Sequence, residues 1–562
     1  MDPAGQYKKL GVGSWSPIIT SASLCTPTWL LYATDRTREL INKMEHFTPL
    51  SLCLCLLLFA TFVLCIFRLL KWSIIPFPSK SSRLPPSPTS FPIVGHIHHL
   101  KDMPHISFTR LAHQLGPIIY LRLGRVPTVI ISSARLARLV LKTHDQVFAS
   151  RPQLIAAQYL SFGCSDITFS PYGPYWRQAR KICVTELLSS KRVNAFQLVR
   201  DEEVNRMLNS VRDGAGSKLD MSKAFFTLAN DTLCRVAFGK RFGNNSDLVE
   251  VLAETQALLA GFCIGDFFPE WKWVNWVSGF KKRLENNLED LRKVCNGIIN
   301  EHVAPKNGSE TLMTGGREDL VDVLLRVQQR DDLEVPITGD NLKALVLDMF
   351  VAGTDTTSAT LEWTLTELVR HPKVLEKAQE EVRNLAFETG KVNETHLQHL
   401  HYMKAVVKET MRLHPPVPLL VPRESMDKCI LDGYEIPAKT RVLINAYAIG
   451  RDPKSWEDPL VYNPERFIDQ DEGSVVDGHV KDQDFKFLPF GGGRRGCPGY
   501  GFGLATVEIA LARLLYHFDW DLPPEVGPQD VDLDEIFGLA TRKKSALVLV
   551  PTANKDYVLA LD

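Results

Sequence analysis

Beyond residue 100, apolar positions recur mainly at three- and four-residue spacing, the mark of helices that bury one face, and only short runs alternate like strands. Ile118–Leu123 and Thr128–Ile131 are two such runs, and Asp432-Gly433 between strand-like stretches predicts a hairpin. The pattern predicts a mainly α fold with a small β region. Its longest helical stretch runs from about Asn341 to Arg370, with Leu342, Leu345, Val346, Met349, Phe350 and Gly353 on one face, Asp340 as N-cap and Pro372 as stop. In the middle, Ala352-Gly353-Thr354-Asp355-Thr356-Thr357 is poor helix material, since a glycine costs ~1 kcal/mol against alanine and each Thr or Asp several tenths. Two readings stay open. The i to i−4 ladder opens at Gly353 into a groove with Asp355 and Thr356 as proton-relay groups, or a bent core helix bonds its threonines to its own backbone.

Toward the N-terminus, Thr48 to Phe67 is a run of 20 uncharged residues. At about 1.5 Å per helical residue such a run crosses a hydrocarbon core of roughly 30 Å. Arg68-Leu69-Leu70-Lys71-Trp72 follows without a small-residue cleavage site, which predicts a retained transmembrane anchor. Residues 1–43 are weakly periodic, and Met44-Glu45-His46 leads straight into the anchor, so Met44 is a candidate natural start. Counted from Met44, Arg68, Lys71, Lys80 and Arg83 follow the span and only Glu45 precedes it, which puts the C-terminal bulk in the cytosol; Arg36, Arg38 and Lys43 of the extension blur that bias. The expected organisation is an extension (1–43), an anchor (44–71), a basic and proline-rich hinge (72–95) and one large domain (96–562). Pro85 to Gly95 reads as a stiff spacer or as an ordinary proline-rich linker.

Composition narrows the classes further. Net charge is zero with 23% charged residues, so no global basic field points to nucleic acid. The 11 cysteines form no CxxC or CxxCH, which excludes a disulfide framework, a CxxC zinc site and covalent haem attachment, and fits a reducing compartment. HExxH, GxSxG, GK[ST] and EF-hand signatures are absent.

One cysteine stands apart. Cys497 lies in Phe490-Gly491-Gly492-Gly493-Arg494-Arg495-Gly496-Cys497-Pro498-Gly499, where five of the nine positions from Gly491 to Gly499 are glycine. Glycine is kept where backbone needs positive φ or a very close approach, and a lone thiolate among amides with an arginine nearby suits haem iron. The embedded Gly491-x-Gly493-x-x-Gly496 also spells a dinucleotide fingerprint, but Pro489 and Pro498 bracket it where a strand and a helix are required. Elsewhere Glu409 and Arg412 share a helix face, and Arg466 of Pro464-Glu465-Arg466-Phe467 could join them; taken alone the pair reads as a surface ion pair. Trp176-Arg177-Gln178-Ala179-Arg180-Lys181, taken alone, reads as a solvated basic face.

Together these stretches resemble a cytochrome P450 over nearly the whole chain after Met44. The cysteine loop fits F-x-x-G-x-R-x-C-x-G at every fixed position, and the Gly353–Thr357 helix, the E-x-x-R pair and P-E-R-F come in the family's order. The proline hinge, Phe148-Ala149-Ser150-Arg151-Pro152 and Tyr172-Gly173-Pro174-Tyr175-Trp176-Arg177 further resemble the plant microsomal A-type branch. The resemblance implies haem b with Cys497 as its protein ligand and Phe490 beside it. It places Arg180, Arg423, Arg495 and Trp176 at the propionates, Gly353 at the cofactor side of the helix, Glu409, Arg412 and Arg466 in a buried structural triad, and Asp355 and Thr356 as distal acid and alcohol.

The activity implied is insertion of one oxygen atom from O2 into a lipophilic small molecule of plant specialised metabolism, a terpenoid, phenylpropanoid or amino-acid-derived compound. Electrons would come from NADPH through a membrane-bound reductase docking near Arg177, Lys181 and Arg494, at the endoplasmic reticulum. Residues Leu154–Ile167, Val346–Phe350, Pro416–Val421 and Phe537–Leu539 match pocket-lining segments. Two other readings are a reductase-independent rearrangement or dehydration on the same fold, and a non-catalytic membrane haem protein. Asp355-Thr356 argues against both.

Overall fold

The computed structural model describes residues 53–64, 83–242, 247–260, 263–304, 318–387, 390–469, 485–536, 538 and 540–554. Two compact units divide between Ile75 and Pro76. In the first, residues 53–64 are helical with exposed side chains. Among the described residues no helix is long and apolar enough to cross a membrane. The two ends of the expected span, Thr48–Leu52 and Cys65–Phe67, the basic residues Arg68, Lys71 and Lys80, and the whole of 1–43 lie outside the described residues.

The second unit is mainly helical with small sheets, as the periodicity predicts. Five helices carry the parts that matter: α1 (Pro174–Ile182), α2 (Met221–Phe238), α3 (Gly339–Arg370), α4 (His401–Leu413) and α5 (Tyr500–His517). The 32-residue α3 is buried on nearly every side over its second half, including Trp363, and packs along α2 and against α4 and α5. A helix buried on all sides lies in the centre of a large core, and the many threonines of this half are accommodated there by bonding to their own backbone. Trp363 stacks flat on His414 just past α4, ring centres 4.1 Å apart.

Both ends of α3 test the sequence. Thr338, not Asp340, is the N-cap: it forms a capping box with Asn341, whose backbone N–H donates to the Thr338 hydroxyl at 3.1 Å. Thr338 and Asp340 are both good caps, and the reciprocal Asn341 bond decides between them. At the other end the helix stops at Arg370, and Pro372 opens the next one. Between them the helix runs unbroken through Gly353–Thr357, so no opened ladder is seen. Thr354, Thr356, Thr360 and Thr364 each donate to the carbonyl four residues back, at 2.7 to 3.1 Å. Gly353 has a packing reason of its own: a Cβ there would sit 2.7 Å from a Leu233 methyl of α2.

The main sheet has four strands in the order Ile118–Leu123, Val126–Ile131, Arg441–Ile444, Arg423–Glu424. The first two pair antiparallel, the second runs parallel to the third, and the short fourth pairs antiparallel with it. The predicted hairpin forms, Leu431 opposite Tyr434, with Asp432 and Gly433 both at positive φ. The described part of the proline-rich segment is docked on these strands. The Pro86 carbonyl accepts from Tyr120 N–H, and the Arg83 carbonyl from Glu435 N–H. Its prolines leave carbonyls free to accept while removing competing donors.

Candidate functional site

The loop before α5 is held by its own backbone. Cys497 N–H donates to the Phe490 carbonyl at 2.9 Å, and Gly491 and Gly493 take φ of +65° and +66°. Gly493 also lies so near the chain that a Cβ would stand 2.3 Å from the Leu141 carbonyl oxygen. Asp145 staples the loop from the far side, accepting Arg494 N–H and its guanidinium, both at 2.9 Å, and Arg423 at 3.2 Å. A short 3-10 turn, Gly493–Arg495, precedes Cys497 and no strand leads into the loop, which rules out the dinucleotide reading.

Cys497 faces an internal cavity of about 290 Å³. Cys497 is accessible from this cavity and otherwise packed in by protein. Burial pushes its thiol up, while the N–H groups of Gly499 and Tyr500 and the charge of Arg180 pull the other way. Those amides open α5, so the helix terminus is aimed at sulfur. Among the described residues Cys497 is the one cysteine lining this cavity.

Four arginines gather at the same wall. Arg495 is spread over three backbone carbonyls, Ala149 at 2.7 Å, Ile167 at 2.9 Å and Ser170 at 2.6 Å, and lies over the Trp176 ring at 4.1 Å. Arg180, on α1, reaches the Gly496 carbonyl at 2.5 Å, and Arg423 reaches that of Gly492 at 2.7 Å. Arg151 donates to Thr168, Val421 and Pro422 carbonyls. Burial lowers all four, and mutual repulsion lowers Arg151 and Arg495 further, the latter to about 9. Nearby carboxylates are fewer: Asp145, Asp348 and Asp166. Burial raises both Asp348 and Asp166, and the charge of Asp348 pushes Asp166 higher. Buried like charges in excess call for an anion. The basic run on α1 is therefore not one solvated face. Trp176 and Arg180 turn inward while Arg177 and Lys181 face out. Asp145 was not singled out from sequence, and Arg151 was named only within Phe148–Pro152, without a role at this wall.

The same cavity is lined by Ala352, Gly353, Asp355 and Thr356 of α3. The Thr356 hydroxyl donates to the Ala352 carbonyl at 2.8 Å, leaving its lone pairs toward the cavity. Asp355 is buried, its Oδ1 has no hydrogen-bond partner, and Arg542 lies 3.5 Å away. Burial raises this carboxyl, and Arg542 opposes. Apolar side chains fill the remaining wall, among them Leu160, Ile167, Leu347, Val417, Leu420 and Ala540. Phe537 and Leu539 lie outside the described residues. A second cavity of about 170 Å³ shares Phe169, Leu259, Val417, Leu420 and Val421 with the first.

Glu409, Arg412 and Arg466 do meet, and they are not on the surface. Glu409 and Arg412 side chains are 0% exposed and joined by two bonds, 2.6 and 2.7 Å, while Arg466 reaches Glu409 at 3.0 Å. The Arg412 fork also takes the Gly450, Pro459 and Val461 carbonyls, so one buried pair ties α4 to the segment leading into P-E-R-F.

The cytochrome P450 family model matches residues 85–550. A tryptamine 5-hydroxylase of Oryza sativa subsp. japonica is 56% identical over 486 residues, 85% of this chain and 92% of that one. Premnaspirodiene oxygenase of Hyoscyamus muticus is 42% identical, covering 91% of this chain and 99% of its own. A zebra fish cytochrome P450 solved with abiraterone matches with TM-score 0.67 and 28% identity, covering 80% of this chain and 99% of that one. The family's group is haem bound through thiolate, and the residues fit it: a thiol under two amides at a cavity wall, beside guanidinium charge in excess of carboxylate. The chain belongs to the cytochrome P450 family, in its plant A-type branch, and is a monooxygenase of specialised metabolism.

Proposed function

We propose that this chain holds haem b by Cys497, seats the propionates among Arg180, Arg423, Arg495 and Trp176, and oxidises a compact lipophilic metabolite in the cavity beneath α3. The observation that carries the reading is that Cys497, Asp355 and Thr356 line one cavity. Haem, when bound, supplies the binding and reductive activation of dioxygen. Phe490 packs beside the sulfur, and the amides of Gly499 and Tyr500 favour its ionised form against the effect of burial. Apolar side chains orient the substrate and exclude water. Thr356 Oγ1 would position water and a proton at the cavity wall beside Gly353. Asp355, whose raised carboxyl holds a proton to higher pH, resupplies it and can swing between Arg542 and the cavity.

Electrons come from NADPH through a membrane-bound reductase, which meets the outward Arg177 and Lys181 and the half-exposed Arg494. Thr48–Phe67 anchors the chain in the endoplasmic reticulum with the second unit cytosolic. For the substrate, an indole-ethylamine is the first compound to test, because the 56% identical relative is a tryptamine 5-hydroxylase and much of the cavity wall is apolar. Titrating purified protein with such amines, terpenoids and phenylpropanoids should give a saturable haem spectral shift for one class. No shift with the amines would remove them as substrates.

Two substitutions in α3 should fail differently. Thr356→Ala is expected to bind substrate and consume NADPH with reductase, yet release more hydrogen peroxide per product. An unchanged product-to-NADPH ratio would leave Thr356 as a hydroxyl satisfied by Ala352. Asp355→Asn keeps the shape and removes the titrating proton, so turnover should slow and its alkaline limb flatten. A wild-type pH profile would reject the relay.

A further inference from the structure

Asp348 lies on the cavity face of α3, seven residues before Asp355, and no motif assigns it a task. It reaches across to the segment Asp166–Ser170. One oxygen accepts Ile167 N–H at 3.0 Å and Thr168 N–H at 3.2 Å, and the other accepts the Thr168 hydroxyl at 2.5 Å. The carbonyls of the same two residues face the cations. The Ile167 carbonyl accepts both Trp176 Nε1 and Arg495 at 2.9 Å, and the Thr168 carbonyl accepts Arg151 at 2.8 Å. Asp166 closes the turn from within, accepting Phe169 N–H at 3.0 Å.

We propose that Asp348 is a positioning residue for the haem: by clamping Ile167 and Thr168 to α3 it fixes the Ile167 carbonyl that holds Arg495 and Trp176 of the propionate seat, and the Thr168 carbonyl that holds Arg151 beside them. The proposal rests on the reading of those side chains as the propionate seat. Three donors take three of the four acceptor directions of the carboxylate, so its role is to hold the loop and not to anchor a ligand. Its charge also offsets the guanidinium cluster, opposing the lowering of Arg151, Arg180 and Arg495. Removing it loosens the seat and makes the haem surroundings more positive together.

The test uses full-length holoprotein with three readouts: haem loss to an apoglobin, midpoint potential, and the split between KM and kcat. Asp348→Asn cannot receive all three donors, and haem loss should quicken about tenfold, as expected for breaking charge-assisted bonds in a buried site. The potential should rise, because lost negative charge favours the reduced iron. Thr168→Val should shift both in the same direction by less, and Thr168→Ser, which keeps the hydroxyl, should restore wild-type values. Should Asp348→Asn fail to take up haem, the two Thr168 variants decide alone. Wild-type haem loss and potential in Asp348→Asn and Thr168→Val would overturn the clamp. A raised KM with haem retention intact would overturn it in favour of substrate contact. Arg495→Gln separates the layers. If it leaves haem loss unchanged, the propionate seat itself falls; if it speeds loss while Asp348→Asn does not, only the clamp falls.

Discussion

Cys497→Ser is expected to abolish the long-wavelength carbonyl band of the ferrous protein and, with it, turnover. The sulfur is matched to its place by competing effects. Burial alone holds the thiol protonated, and only two amides and Arg180 oppose it. A bound iron cation reverses that balance and ionises a coordinating thiol outright. A serine hydroxyl, far less acidic, gains too little from the same surroundings to become an equivalent ligand. The remaining described cysteines offer no substitute at this wall, since none lines the cavity. A ferrous carbonyl spectrum in Cys497→Ser like that of wild type would show that the ligand lies elsewhere.

Glu409→Ala carries the second large effect. Glu409 accepts both arms of Arg412, the guanidinium of Arg466 and the Asn463 N–H at 2.8 Å. Removing it leaves Arg412 fully buried without its counter-ion, a loss of ~3 to 5 kcal/mol for breaking one partner of a buried pair. That is a large part of the 5 to 15 kcal/mol that ordinarily separates folded from unfolded protein. Poor folded yield and low haem content should follow, measured as haem absorbance per protein. Normal yield and content would mean the backbone carbonyls of Gly450, Pro459 and Val461 suffice to hold Arg412.

What the sequence made legible follows from how local each signal is. The cysteine loop could be read because its glycines report on backbone that must approach other chain closely, and Gly493 against Leu141 is such an approach. α3 could be read because 32 residues of helix leave a long periodic trace. Of the two readings of its middle, the threonine back-bonds are what forms, without opening the ladder, and Gly353 answers to Leu233 of α2, far away in the chain. Long-range partners leave no trace in spacing. Asp348 meets Thr168 across 180 positions, Arg151 meets Val421 across 270, and Arg542 comes to Asp355 from near the C-terminal end. The Glu409–Arg412 pair was visible from its spacing, but its burial came only through the family resemblance, because an i to i+3 spacing is the same on a surface and in a core.

Turnover of an accepted substrate under isotopically labelled dioxygen, with NADPH and a plant reductase, bears on the whole reading at once. A monooxygenase must place one labelled oxygen atom in the product and consume NADPH in step with product formed. We expect that label in wild type, a lower ratio of product to NADPH in Thr356→Ala, and no product in Cys497→Ser. Product that carries no label, or that forms at the same rate without NADPH, would contradict oxygen insertion and favour a rearrangement or dehydration on this fold.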